Sequence, residues 1–221
     1  MSEHPAIDEK RMFLLDQQVI RLEDTFGDDD LILDLGGGGE GIIGQLRGRQ
    51  VVAVDLRPDE LEEIPPGPIK VIADAKKLPF LDASFDVATA FFFLMYVPHS
   101  DRGDVLKEAY RVLRPGAALH IWDVTIPARA DRPQQMFIVP VKVELPGKTV
   151  QTGYGVPWDG REMSAEAISL MASDAGFALL DMVEDAETFH ITLVRPTQTD
   201  KHRRPTDGID GHTLRGQADR T

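Results

Sequence analysis

The chain has 221 residues, 42% hydrophobic and 28% charged, which suits one α/β domain with a substantial core. A formal charge of −13 argues against a nucleic-acid partner, and the absence of cysteine excludes disulfides, thiolate catalysis and cysteine-ligated zinc. Residues 2–10 lack a signal-peptide core and no apolar run approaches the ~20 residues of a membrane span, so no membrane partner and a cytoplasmic location are expected.

Residues 8–26 read as an amphipathic helix. Met12, Leu15, Val19, Leu22 and Phe26 step by three or four onto one face, acids lie early, and Gly27 follows as a stop signal. Such a helix would pack on the sheet or form a lid over a ligand site. Next comes the apolar run Leu31-Ile32-Leu33-Asp34-Leu35, then Gly36-Gly37-Gly38-Gly39-Glu40-Gly41, then Ile42, Ile43 and Leu46 at helical spacing. This is a strand, a tight turn and a helix over about 40–46, a unit that sets a helix N-terminus against a bound ligand. Four successive glycines are entropically costly in a merely structural turn. Asp34, at the carboxyl end of the strand, is expected at the crevice where such sheets bind ligands. Gly36, Gly38 and Gly41 fit G-x-G-x-x-G, so a dinucleotide is one candidate.

The second strand, 51–55, is a continuous apolar β-branched run, as expected of a parallel strand buried on both faces. It ends in Asp55, about twenty residues past the glycines, where an acid can take both ribose hydroxyls. That supports an adenosine-containing ligand without choosing which. A short helix is expected over 59–64, a third strand over 69–73, and a fourth strand with the start of its loop over 85–93. A helix over 101–113 stops at Arg114-Pro115-Gly116, and 117–123 is the fifth strand.

Residues 127–160 break the α/β rhythm. An extended apolar run over 136–143, a turn at Gly147 and a return over 149–154 predict an inserted hairpin. A helix over 164–175 has Ser164 as N-cap and Gly176 past its end. Strands over 177–184 and 188–195 are joined by three residues, too few for a parallel crossover, so they are expected to be antiparallel. The expected organisation is one domain over 1–195, with 127–160 as a substrate-side insertion. Residues 196–221, which include Lys201-His202-Arg203-Arg204, are expected to form a flexible tail.

Taken in order, these motifs resemble the class I S-adenosylmethionine (SAM)-dependent methyltransferases. Asp34-Leu35-Gly36-Gly37-Gly38 is similar to that family's first motif. So are Ala73-Asp74-Ala75-Lys76-Lys77-Leu78-Pro79-Phe80 with Ser84-Phe85-Asp86-Val87, and Leu106-Lys107-Glu108-Ala109-Tyr110-Arg111-Val112-Leu113-Arg114-Pro115-Gly116, to the family's corresponding segments. The resemblance covers residues 28–124 well and 161–195 loosely. It implies a Rossmann-like, seven-stranded, mostly parallel sheet with an antiparallel last strand and helices on both faces. It also implies SAM as cofactor and methyl transfer to a small-molecule acceptor by in-line displacement. A non-catalytic SAM-binding protein and an NAD(P)-dependent oxidoreductase are the alternatives.

The roles the resemblance implies fall on named positions. Asp34 and the backbone of Gly36 and Gly38 would face the methionine and ribose side. Asp55 would bind the ribose hydroxyls, with Leu56 beside the adenine. Asp74 would accept from the adenine amino group, helped by the Ala75 amide, and Phe91 would lie near the reacting methyl. One departure is Glu40, which stands where the family often has a third glycine. Either the loop is one residue longer, or Glu40 opens the helix, where an acid suits the dipole.

A base is needed only if the acceptor must lose a proton. Candidates are Tyr96, His99, Asp123, Tyr154 and His190. His120 and Asp123 fall on opposite faces of a strand, a poor metal pair, and no metal site is expected. The greasy stretch Phe91-Phe92-Phe93-Leu94-Met95-Tyr96-Val97, with Met136, Phe137, Tyr154 and Trp158, suggests a pocket for an apolar or aromatic acceptor. A monomer or a homodimer is expected.

Overall fold

The computed structural model describes residues 9–197. The expected tail lies outside the described residues, apart from Pro196 and Thr197.

The spine is a seven-stranded sheet. Its parallel part comprises β3 (Ile32–Leu35), β4 (Val51–Asp55), β5 (Ile69–Ile72), β6 (Phe85–Phe91) and β7 (Leu113–Val124). All four residues of β3 and the first four of β4 are buried, which explains runs that are apolar but for Asp34. β10 (Ala178–Asp185) and β11 (Thr188–Val194) complete it, with β11 antiparallel to both β10 and β7. The strand order is β10-β11-β7-β6-β3-β4-β5. The chain therefore winds outward from β3 to β5, then returns to lay β6 on the other side of β3. A crevice opens at the carboxyl ends of β3 and β6, at this reversal.

The helices flank the sheet. α1 (Ile42–Arg47) and α2 (Pro58–Glu63) contact β4, while α3 (His99–Val112) and α4 (Ala165–Ala175) contact each other and the β7–β11 side. α4 starts where expected, with the Ser164 hydroxyl accepting from the Ala167 amide and Gly176 left-handed beyond its end. α3 stops one residue earlier than expected, and β7 begins at once with Leu113, opposite Phe85. Arg114-Pro115-Gly116 thus belongs to a strand with an irregular register rather than to a loop. The Arg195 guanidinium donates to the carbonyls of Tyr110, Arg111 and Leu113, which satisfies the end of α3.

The expected helix over 8–26 does not form. After a 3-10 turn at Glu9–Arg11, β1 (Met12–Leu14) and β2 (Gln18–Arg21) are strands. Both run parallel to β8 (Met136–Leu145), which pairs antiparallel with β9 (Lys148–Pro157). β1 meets residues 136–138 and β2 meets 141–144, along the edge of β8 that β9 leaves open. Residues 12–22 are compatible with two periods. Pairing with the unsatisfied amides and carbonyls of β8 selects period two, so Gln18, Ile20 and Leu22 turn inward. Val19, expected on the buried helical face, is instead 41% exposed. The hairpin over 127–160 forms as expected, but as the centre of a second, four-stranded sheet.

Candidate functional site

A cleft of about 660 Å³ opens at the carboxyl ends of β3, β4 and β6. That is the size of a small-molecule site. The glycine loop forms one wall, and the loop after β6 with residues 153–155 of β9 forms the other. Gly36 has φ +67°, and a Cβ there would fall 2.1 Å from the Phe93 ring, so only glycine fits. At Gly38 a Cβ would lie 2.6 Å from Glu60 Cβ and 2.8 Å from an Asp55 carboxylate oxygen, which would close the crevice. Gly41 is the N-cap of α1, and α1 starts at Ile42. Glu40 therefore lies in the loop and does not open the helix.

Asp34 is 2% exposed, and its carboxyl accepts from the Thr89 hydroxyl at 2.7 Å. Burial raises its pKa to about 7; the Thr89 bond offsets part of this and the charge of Asp55 adds to it. Asp55 and Asp74 each steady their own turn, accepting from the Arg57 amide at 2.8 Å and the Lys76 amide at 2.9 Å. Leu56 is 67% exposed at the rim, while Ala75 and Phe91 are buried. All eight cofactor-side positions picked out in the sequence thus line one cleft: Asp34, Gly36, Gly38, Asp55, Leu56, Asp74, Ala75 and Phe91.

The acceptor-side expectations divide. Tyr96 and Tyr154 line the cleft. The Tyr96 hydroxyl accepts from the Gly155 amide at 3.2 Å, which ties the loop after β6 to β9. Tyr154 stacks on Phe92 with centroids 4.8 Å apart. Phe137 and Trp158, expected as pocket walls, are instead wholly buried in the core of the second sheet, and Met136 is also away from the cleft. Their rings lie 5.3 Å apart, Phe13 closes on Trp158 at 4.8 Å, and the Trp158 indole donates to the Pro127 carbonyl at 2.7 Å. Strand alternation puts Phe137 on the core face of β8, out of reach of a ligand.

The other base candidates do not line the cleft. His99 is exposed at the first turn of α3. His190 stacks on Trp122 at 4.3 Å, and its Nε2 lies 3.3 Å from Nδ1 of His120. Burial holds His190 down to about 4 and lowers His120 as well. Asp123 is completely buried, accepting from the Met95 amide at 3.2 Å and the Val124 amide at 2.9 Å. Its pKa is raised by burial to about 7. It fastens the loop after β6 from beneath.

Two links were missed in the sequence. The Thr152 hydroxyl donates to the Glu40 carboxylate, joining the glycine loop to β9. Arg102, 1% exposed on α3, donates to the carbonyls of Leu94, Val97, Arg161 and Glu162. Neither has a local signal, since the partners are far apart in the chain.

The raised acid at Asp34 has a measurable consequence. A carboxyl with a folded pKa above its unfolded value keeps its proton longer in the native state. Native protein therefore loses the corresponding stability as pH rises from about 4 through 7. An amide at this position does not titrate. The stability of Asp34→Asn relative to the native chain, from urea melts without ligand, should improve by roughly 1–3 kcal/mol between pH 5 and 8. A difference independent of pH would show that Asp34 is ionised throughout.

Comparison with known proteins gives a consistent result. The family described as "Methyltransferase domain" matches residues 33–121. The chain is 36% identical over 111 residues to the mitochondrial 2-methoxy-6-polyprenyl-1,4-benzoquinol methylase of Drosophila melanogaster, covering 48% of this chain and 36% of that protein. It is 31% identical over 126 residues to an O-methyltransferase of Aspergillus sclerotiorum, covering 52% and 47%. The matched segments thus span less than half of these curated relatives. Among solved structures, a SAM-dependent methyltransferase of Methanosarcina mazei superposes with a TM-score of 0.57 at 18% identity, over 77% of this chain and 94% of that one. One from Mesorhizobium loti gives 0.54 at 17%, over 76% and 91%. At these identities the structural likeness concerns the fold.

Proposed function

We propose that the chain transfers a methyl group from SAM to a small-molecule acceptor, because residues 33–121 match the methyltransferase-domain family and the fold is that of solved SAM-dependent methyltransferases. One observation supports this reading above the rest. Every position to which the resemblance assigns a cofactor role lines the same cleft, at the reversal of strand order. The residues also suit the cofactor's charge. Asp34 is a desolvated acid that a neighbouring cation would stabilise in its ionised form, and the bare backbone at Gly38 leaves the Asp55 carboxylate open to the crevice.

When bound, the cofactor supplies a methyl group on a sulfonium whose leaving group is a neutral thioether. The chain's own task is alignment at near-attack distance, which can provide much of the rate. In this reading Asp55 accepts from the ribose hydroxyls, Leu56 covers the adenine, Asp74 and the Ala75 amide meet its edge, and Phe91 borders the methyl. Tyr96 and Tyr154 bound the acceptor's side, which suits an apolar or aromatic body. Burial raises the pKa of both phenols, so neither is a base at neutral pH.

Calorimetric titration tests the reading. SAM and S-adenosylhomocysteine should bind in the micromolar range, and NAD far more weakly. Tighter binding of NAD would overturn it in favour of an oxidoreductase. Binding of SAM without turnover on any compound of a broad metabolite panel would point to a non-catalytic SAM-binding protein. Tyr154→Ala should change acceptor turnover while SAM affinity stays within about threefold, since ~0.6 kcal/mol separates such affinities. A large loss of SAM affinity in the folded variant would move Tyr154 to the cofactor side.

A further inference from the structure

The electrostatics of the cleft narrow the acceptor, an inference that rests on the methyltransferase reading. Arg57 and Lys76 are the only cationic side chains among the described residues that line the cleft, and both are already engaged. Arg57 pairs with Asp59 at 2.5 Å and Glu60 at 2.9 Å, and Lys76 with Asp101 at 2.7 Å. Both belong to the wall that carries Asp55 and Asp74, the adenosine side. On the acceptor side, between the glycine loop and β9, the charged group is the carboxyl of Glu40, and the polar rings are Tyr96 and Tyr154. No arginine, lysine or histidine lines that side among the described residues.

An acceptor carboxylate, phosphate or phenolate would therefore enter partly desolvated space without a counter-charge from the chain and beside the Glu40 carboxyl. The two resident phenols respond to that environment. Burial pushes both Tyr96 and Tyr154 up, and the charge of Glu40 pushes each further. A phenol bound alongside them would be shifted the same way and would stay protonated, a weak nucleophile. A cation meets the opposite conditions: a half-buried carboxylate at Glu40 and two aromatic rings.

We propose that the nucleophile is an uncharged amine nitrogen on an apolar or aromatic body, and that Glu40, Tyr96 and Tyr154 hold the cationic product. The nitrogen lone pair forms the N–C bond as the C–S bond breaks, and the electron pair of that bond passes to sulfur. The positive charge moves from sulfur to nitrogen, so the cleft contains one cation before and after transfer. An amine that arrives as its ammonium ion first gives a proton to water, since only the free lone pair attacks, and a tertiary amine then needs no further proton transfer. A primary or secondary amine afterwards loses its extra N–H proton to water. With a phenolate both charges would vanish on transfer, but the phenolate itself is the species that the acidic surroundings disfavour.

The test reads binding first. Protein saturated with S-adenosylhomocysteine, which lacks the sulfonium, is titrated with 3-phenylpropylamine, 3-phenylpropanoate and 4-propylphenol. The ammonium ion should bind roughly tenfold or more tightly than the carboxylate, and Glu40→Gln should cut that ratio to about threefold or less. With SAM, amines of this kind should be N-methylated and the matched phenol left unmethylated. Should Glu40→Gln lose the fold in a thermal melt, Tyr154→Leu provides the second variant, with the same expected fall in the ratio. Equal or tighter binding of the carboxylate, methylation of the phenol in preference to the amine, an unchanged ratio in a folded variant, or no binding of the amine at millimolar concentration would each overturn the inference. Failure of S-adenosylhomocysteine itself to bind would instead overturn the methyltransferase reading.

Discussion

Asp55→Ala should weaken binding of SAM and of S-adenosylhomocysteine by about ten- to a hundredfold. In the proposed complex its carboxylate accepts two hydrogen bonds from the ribose. Hydrogen bonds to a charged group are worth roughly 1.5–3 kcal/mol, and ~1.4 kcal/mol is a factor of ten. The unliganded fold should tolerate the change. Asp55 is the last, half-buried residue of β4, and its one side-chain bond in the cleft is with the amide of Arg57 two residues on. Losing that bond loosens a turn without opening a cavity. Because both ligands carry the same ribose, both affinities should fall by a similar factor. Calorimetry on the two proteins checks this, with thermal melts as the control for folding. An Asp55→Ala protein that binds SAM normally would place the adenosine elsewhere.

Arg102→Met should lower the unfolding free energy by about 3–5 kcal/mol, the range found when one partner of a buried charged network is removed. Four carbonyls converge on this guanidinium: Leu94 and Val97 from the loop after β6, and Arg161 and Glu162 from the segment before α4. Methionine fills much of the volume but leaves these acceptors without a donor. Each orphaned group carries a desolvation cost of ~1–3 kcal/mol, reduced where water can enter. The charge of Asp123 also loses its buried counterpart. For a domain of this size the melting temperature should fall by roughly 6–20 °C. Arg102→Lys, with three donors on a shorter stem, should recover part of the loss. A shift under about 2 °C for Arg102→Met would mean that water replaces the guanidinium at little cost.

The two substitutions act on different walls of the same cleft. Asp55 belongs to the ligand-contacting rim of β4. Arg102 and Asp123 act beneath the other wall, where they hold the backbone of residues 94–97 in place from below. Phe92 begins that wall with φ +48°, an uncommon conformation for a bulky residue. Its amide is anchored on the Trp122 carbonyl at 2.7 Å and its ring on Tyr154. The strain is thus held by contacts from β7 on one side and β9 on the other.

Features legible in the sequence share a short range. Residues 51–55 read as a buried strand because an unbroken β-branched run has few other stable settings. Ser164 and Gly176 marked both ends of α4, since a cap acts on amides and carbonyls within a turn of itself. The three-residue link between β10 and β11 left only antiparallel pairing. Asp34, Asp55 and Asp74 pointed to the cleft because each lies at or just past a strand's carboxyl end. Tertiary structure decided what depends on partners remote in the chain. Met12, Leu15, Val19 and Leu22 fit a helix on spacing alone, yet the open edge of β8, more than a hundred residues away, drew the segment into strands. Trp158 could have lined a pocket or filled a core, and the company of Phe13 and Phe137 settled it. Glu40 acquired its contact with Thr152, and Arg102 its four carbonyls, only when the second sheet and the 161–162 segment folded against the first. Local backbone preference and hydrophobic period are written along the chain, whereas the satisfaction of a buried polar group or an open strand edge depends on which distant atoms arrive there.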